Sequence, residues 1–391
     1  MPGLGFQTDQ FETVSPEIGA QGRASDAHLT AQVGGLRVYD QSDRTDANPS
    51  YETPVDPSNA LFRAVAAVIH LGLSLLETPR SRETLVQIGL GLIQERGNCN
   101  HVYEDRPENM MRWVELFLAR MRGSFPTLIL TNRIRGEGLM LRNDWASPGI
   151  KMRQYDPKDA GILKLNKLIM QNLLRAGDSV RNNESFSEAH FAAYESFTFI
   201  MAITVAHELV HFFIGYLTGR ASPNTPEKIS YLPSIYNKPG IDGKEIGESG
   251  RTWEGDVFGG IVETAEDSTD PLGAYQAGTL WLIDERKQVR RIDRSFVKRI
   301  LNEDFVFPLQ TTGPAISLTE LDRNHRAMNS VREPLLSRSP AQIVSRERPS
   351  RTISNEDVER YILVASYSIR NREFTTLRQA IREPHFLFVS A

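Results

Sequence analysis

An α+β fold is what the sequence predicts, a small mixed sheet and one long helix set in a mainly helical remainder. Three patterns lead there. Ala60 to Leu76 is apolar over most of a helical circumference, and Arg82 to Arg96 and Glu108 to Arg122 repeat apolar residues at amphipathic helical spacing. Short, partly alternating runs follow at Thr127–Thr131, Gly138–Arg142, Ile150–Tyr155 and Ile162–Leu165, divided by turn residues as strands are. Then comes a stretch from Ser185 to Gly219, apolar over Phe197–Ala206 and Phe212–Leu217, long enough for a single helix of unusual length.

In chain order, residues 1–56 are rich in Gly, Ser, Asp, Pro and Gln without a sustained period, and are expected to form a disordered or extended arm. Residues 57–125 hold the three helices and are expected to form a helical subdomain. After the strands, Asn166 to Arg175 reads as a helix. Ser185-Phe-Ser-Glu188 then matches a capping box that starts the long helix, which is expected to break or kink before Ser196. Val257 to Val262 reads as a bulged strand, Ala277 to Ile283 as a strand and Asp293 to Asn302 as a basic amphipathic helix. Residues 329–354, rich in Arg, Ser and Pro, read as a flexible segment, and 355–391 as a C-terminal helix and tail that dock on the core.

With 391 residues, 40% of them hydrophobic and 24% charged, the chain can bury a large core. Its net charge of -4 gives no general attraction to nucleic acid or to anionic membranes. The basic group Arg286, Lys287, Arg290 and Arg291 reads as a solvated face. The only cysteine is Cys99, so no internal disulfide is possible. The N-terminus lacks both the basic and the apolar region of a signal peptide, and a cytoplasmic location is the expectation. The charge-free run before His207 is well short of the about 20 residues that span a bilayer, and no second stretch of that length is expected.

Chemistry concentrates at His207-Glu208-Leu209-Val210-His211. Residues four apart share one helix face, so both imidazoles can reach one cation, with Glu208 free to face water beside it. Apolar sequence on both sides implies a largely buried helix, where two His and one Glu are costly unless satisfied. A bound cation would satisfy them, whereas ordinary buried histidines would need backbone carbonyls instead.

His-Glu-x-x-His on a long helix resembles the zincin superfamily of metallopeptidases. The match covers Ser196 to Asp267. The resemblance implies a zincin-like catalytic domain over 126–328, a Zn2+ cofactor, Glu208 as general base, and a third ligand from a later segment. The glycine-spaced third His of the metzincins is absent, so a gluzincin-like glutamate is implied. Glu248, at the start of a second helix, is preferred over Glu254, which lies about 240° around the same helix and cannot face the metal with it. Glu263 is a further candidate.

Tyr231, Tyr236, Arg251 and His325 are candidates for a second electrophile. In such enzymes an edge strand pairs with an extended substrate, and Ile150–Tyr155 is the candidate here. The expected function is a soluble zinc metallopeptidase. A zinc enzyme acting on a small molecule or a non-peptide amide or ester is the alternative, and a catalytically silent binding protein on the same scaffold is a third. The expected partner is therefore a peptide or small-molecule substrate, with no nucleic acid and no membrane.

Overall fold

The computed structural model describes residues 33–41, 51–96, 107–134, 136–146, 154–182, 187–220, 225–239, 245–265, 267 and 269–321. The segments expected at 329–354 and 355–391 lie outside the described residues, as do His325 and Ser185.

Two strands come first, β1 (Val38–Gln41) and β2 (Glu52–Pro54). Helices α1 (Ala60–Glu77), α2 (Pro79–Arg96) and α3 (Met110–Gly123) follow, α1 being capped by the Asn59 side chain, which accepts from Leu61 N. Then come β3 (Thr127–Thr131), β4 (Gly138–Arg142) and β5 (Gly161–Asn166). Asn166 ends β5 and caps α4 (Lys167–Arg181) by accepting from Leu168 N and Ile169 N. The long helix α5 (Ser187–Thr218) precedes the short pair β6 (Lys238–Pro239) and β7 (Glu245–Ile246), then α6 (Ser249–Phe258). Strands β8 (Ile261–Ala265), β9 (Thr279–Ile283) and β10 (Gln288–Ile292), helix α7 (Arg294–Leu301) and β11 (Thr311–Ser317) complete the described chain.

The protein is a mixed α+β structure with a mixed sheet of order β2-β1-β3-β5-β4. Strands β1, β3 and β5 run parallel, whereas β2 and β4 are antiparallel to their neighbours and form the two edges. Part of the 1–56 segment thus belongs to the sheet: Val38 lies opposite Leu128 and is buried. A second, antiparallel sheet has the order β11-β10-β9-β8.

Helix α5 runs through the middle of one shared core and packs against α1, α4, α6, α7 and β4. Phe212, Phe213 and Tyr216 on α5 meet Phe117 of α3. Trp145 and Tyr155 close on Tyr216 from the segments after β4.

Other expectations are corrected. Helix α5 is uninterrupted over Ser187–Thr218, with no break before Ser196. Its first half is held because Glu195, buried on that stretch, accepts from Arg294 of α7 at 2.7 Å. Val257 and Phe258 belong to α6 and not to a bulged strand, since Gly259 ends the helix in the left-handed region (φ 81°) and β8 starts only at Ile261. Of Ile150–Tyr155, only Gln154 and Tyr155 are described, and neither is in a strand. Residues 150–153 of that candidate lie outside the described residues, and among the described strands β4 is the sheet edge that packs on α5.

A second apolar stretch of spanning length does exist. Ala60–Glu77 and Glu188–Thr218 both have the length and composition to cross a membrane, and 67% and 78% of their most apolar windows are buried inside the protein. Core helices share that length and composition.

Candidate metal centre

On α5, Ile200, Thr204, His207, Glu208 and His211 are only partly buried, while the residues between them are buried. From Phe197 to Thr218 this is one narrow accessible line, at helical spacing, on an otherwise buried stretch of the helix. His207 and His211 sit on it with ring centroids 5.0 Å apart. Their Nε2 atoms are 3.3 Å from each other.

Helix α6 brings the third group. Buried Trp253 donates to Ser81 of α2 at 3.1 Å, fixing the helix against the core. Glu248 is its N-cap, with Oε2 accepting from Arg251 N at 3.1 Å. The carboxylate lies 2.9 Å from His211 Nε2 and 3.6 Å from His207 Nε2. The close approach depends on Gly250, where a Cβ would fall 2.4 Å from His207 Nε2 and Cδ2.

The outer ring nitrogens are also engaged. His207 Nδ1 is 2.6 Å from Glu254 Oε1, and His211 Nδ1 is 3.1 Å from Ser249 Oγ. An ionised carboxylate only accepts, so His207 Nδ1 carries a proton, and in the neutral ring Nε2 is the lone pair. Ser249 Oγ can accept from His211 Nδ1–H, and in that tautomer the His211 Nε2 is a lone pair too. With both rings neutral and protonated on Nδ1, two lone pairs and the Glu248 carboxylate converge. Such a point calls for a cation, and the donor atoms lie within 4.8 Å of one another, a spacing that fits a metal ion.

Protonation is the other way to relieve the convergence, and its pull is visible. Burial alone would lower the His207 pKa, but the carboxylates of Glu248 and Glu254 outweigh it and raise it to about 10. Burial would raise Glu248, yet His211 and His207 hold it well below the usual carboxylate range.

Glu208 lies beside this point. Its Oε2 accepts from the backbone N–H of Met140 on β4 at 2.7 Å, which leaves Oε1 for another partner. Strand β4 can lie this close because residue 138 is glycine. A Cβ there would sit 2.5 Å from Thr204 Cγ2 and 3.2 Å from Glu208 Cγ.

No protein-family model, no curated protein and no solved structure matches this chain. The site is therefore read from its own geometry.

Of the three carboxylates weighed as a third donor, Glu248 is the one beside both Nε2 atoms. Glu254 reaches the far side of the His207 ring instead, so the two acids on one helix meet different nitrogens. Glu263 on β8 meets neither histidine; it pairs with Arg251 at 3.2 Å and accepts from Tyr236 OH at 3.1 Å. Burial raises the Glu263 pKa to about 7 despite Arg251.

The candidate electrophiles fare differently. Arg251 spends its guanidinium on Glu254, Glu263 and Val262 O. Tyr236 is buried with its hydroxyl on Glu263. Tyr231 is held by the backbone of Glu285, its pKa pushed up to about 12 by burial and nearby acids. These three are structural in this arrangement.

Sequence reasoning missed Ser249 and the Met140 N–H. A backbone donor leaves no residue-type signature. Ser249 could have been flagged only as a buried hydroxyl next to a capping acid.

Proposed function

We propose that this chain is a zinc-dependent hydrolase of zincin-like architecture that cleaves peptide bonds, with His207, His211 and Glu248 as zinc ligands and Glu208 as general base. The observation that carries this reading is the meeting of the two Nε2 atoms and the Glu248 carboxylate, on the helix that carries Glu208 next to His207. When bound, zinc supplies a Lewis acid that acidifies water and polarises a carbonyl.

The chain's own residues supply the rest. Glu248 brings one negative charge to two neutral imidazoles, a donor set suited to zinc. Glu208 Oε1 is the atom that takes a proton from the attacking water and later passes it to the leaving nitrogen, while the Met140 N–H on Oε2 holds the carboxylate in place.

Strand β4 supports a polypeptide as the substrate. Glu137 O accepts from Asn166 N and Asn143 N donates to Ala160 O, so the inward bonds fall on odd-numbered residues. By alternation Gly138 and Arg142 direct their N–H and C=O, and Met140 its C=O, to the side away from β5, where no other described strand pairs, the Met140 N–H being taken by Glu208. An extended chain can add there as a further strand, its bonds passing over the accessible line of α5.

The test is metal analysis of the purified full-length protein together with cleavage of a peptide library by wild type and Glu208→Gln. One equivalent of zinc in both, with turnover in wild type alone, is expected. Metal-free protein, or a Glu208→Gln variant as active as wild type, would overturn the assignment.

A further inference from the structure

We propose that Arg251 is a positioning residue for the metal centre: acting through Glu254, it fixes His207 in the tautomer whose Nε2 lone pair faces His211 and Glu248. This rests on the zinc reading above.

The argument is one of donors and acceptors. Arg251 NH1 lies 3.2 Å from Glu254 Oε1 and 3.0 Å from Oε2, and Val262 N donates to Oε2 at 3.0 Å. Guanidinium and backbone N–H groups can only donate. Both oxygens of Glu254 are therefore receiving hydrogen bonds, and what Oε1 presents to His207 Nδ1 at 2.6 Å is an acceptor. The imidazole must answer with Nδ1–H, so in the neutral ring that binds a cation Nε2 is the lone pair.

Arg251 is itself held so that it can aim Glu254. Its NH2 is 3.2 Å from Glu263 Oε1, its NH1 donates to Val262 O at 3.3 Å, and its guanidinium carbon lies 5.0 Å from the centre of the Tyr236 ring. These contacts tie α6 to β8 across the Gly259-Gly260 turn. A planar fork reaching a carboxylate, a carbonyl and a second carboxylate is what guanidinium supplies and an ammonium does not. The same saturation removes Arg251 from direct contact with substrate, which makes its effect on the centre indirect.

Zinc affinity, measured by competition with a chromophoric chelator, reads this out without any activity assay. Arg251→Met and Glu254→Gln are each expected to weaken zinc binding by about 10- to 100-fold. The double variant should fall no more than about threefold beyond the weaker single, because both act on one chain of contacts. Imidazole 15N shifts should place the His207 proton on Nδ1 in wild type and show mixed tautomers in Arg251→Met.

Arg122→Met, in a separate buried ion-pair cluster, controls for mere loss of stability. It is expected to lower Tm with zinc affinity unchanged. Wild-type affinity in folded Arg251→Met, or full additivity in the double variant, would overturn the positioning role and leave the zinc centre standing. A wild-type protein that binds no zinc would remove the centre, and this role with it. Should Arg251→Met fail to fold, Arg251→Lys carries the test: weakened affinity supports the role and wild-type affinity overturns it.

Discussion

Two regions of this molecule bury a histidine among charged groups, and they satisfy it in opposite ways. At His70, Arg122 NH1 donates to Nδ1 at 2.8 Å, so Nε2 carries the proton and donates to Glu303 at 2.6 Å. Arg122 also pairs with Glu77, NE to Oε1 and NH2 to Oε2, each at 2.8 Å. Every donor there meets an acceptor, and the cluster is closed. At His207 and His211 the outer nitrogens are matched, and when both rings are neutral with the proton on Nδ1 the inner ones and Glu248 present acceptors to one another. Burial and acidic neighbours are common to both, so neither separates a structural histidine from a ligand. The direction of the protons does.

The largest expected effect lies on the open side. Glu208→Gln should retain zinc and lose about 100- to 10,000-fold in kcat, measured on any peptide that wild type cleaves. Glu248→Gln comes next: it removes the one negative charge in the donor set, and isothermal titration should show zinc affinity down by at least about 100-fold. Gly250→Ala drives a methyl group into the His207 ring, and a smaller loss of zinc affinity is expected in a protein that still folds.

On the closed side, Arg122→Met should cost about 1–3 kcal/mol in chemical denaturation, since it strands Glu77 and His70, with zinc content unaltered. The smallest effect is a pH dependence. The hydrogen bond from His70 holds the Glu303 carboxyl below its ordinary range against the opposing effect of burial. A lowered folded-state pKa stabilises the protein above the unfolded-state value, and that stability fades as pH falls through the folded one. Glu303→Gln should therefore flatten the acid limb of a Tm-versus-pH curve. A variant with an unchanged limb would show that the His70 bond contributes nothing to folding.

What the sequence disclosed follows the range of the interactions involved. The spacing of His207 and His211 is set within one helical turn, and α5 delivers both rings to one line. Glu248 was legible because an acid at a helix start has a restricted direction. The role of Glu254 was not, since an imidazole offers two nitrogens facing opposite ways and angular spacing does not say which one an acid will meet. Strand β1 escaped notice because only Val38 of its four residues is buried, too little for a period. The expected edge Ile150–Tyr155 lies mostly outside the described residues; among the described strands Gly138–Arg142 borders α5, which it can approach because residue 138 is glycine beside Thr204. The break expected in α5 assumed a helix that must hold itself together, and Arg294 on a distant segment meets its buried Glu195.

Helix α5 is both the carrier of the two imidazoles and the axis on which α1, α4, α6, α7 and β4 converge. Amides from Val205 to Phe213 should exchange with deuterium only through global opening. Stripping the ion with a chelator is then expected to leave a folded apoprotein, in contrast to small zinc modules whose fold exists only when loaded. Reloading would be a matter of diffusion and ligand deprotonation, with no segment to order first.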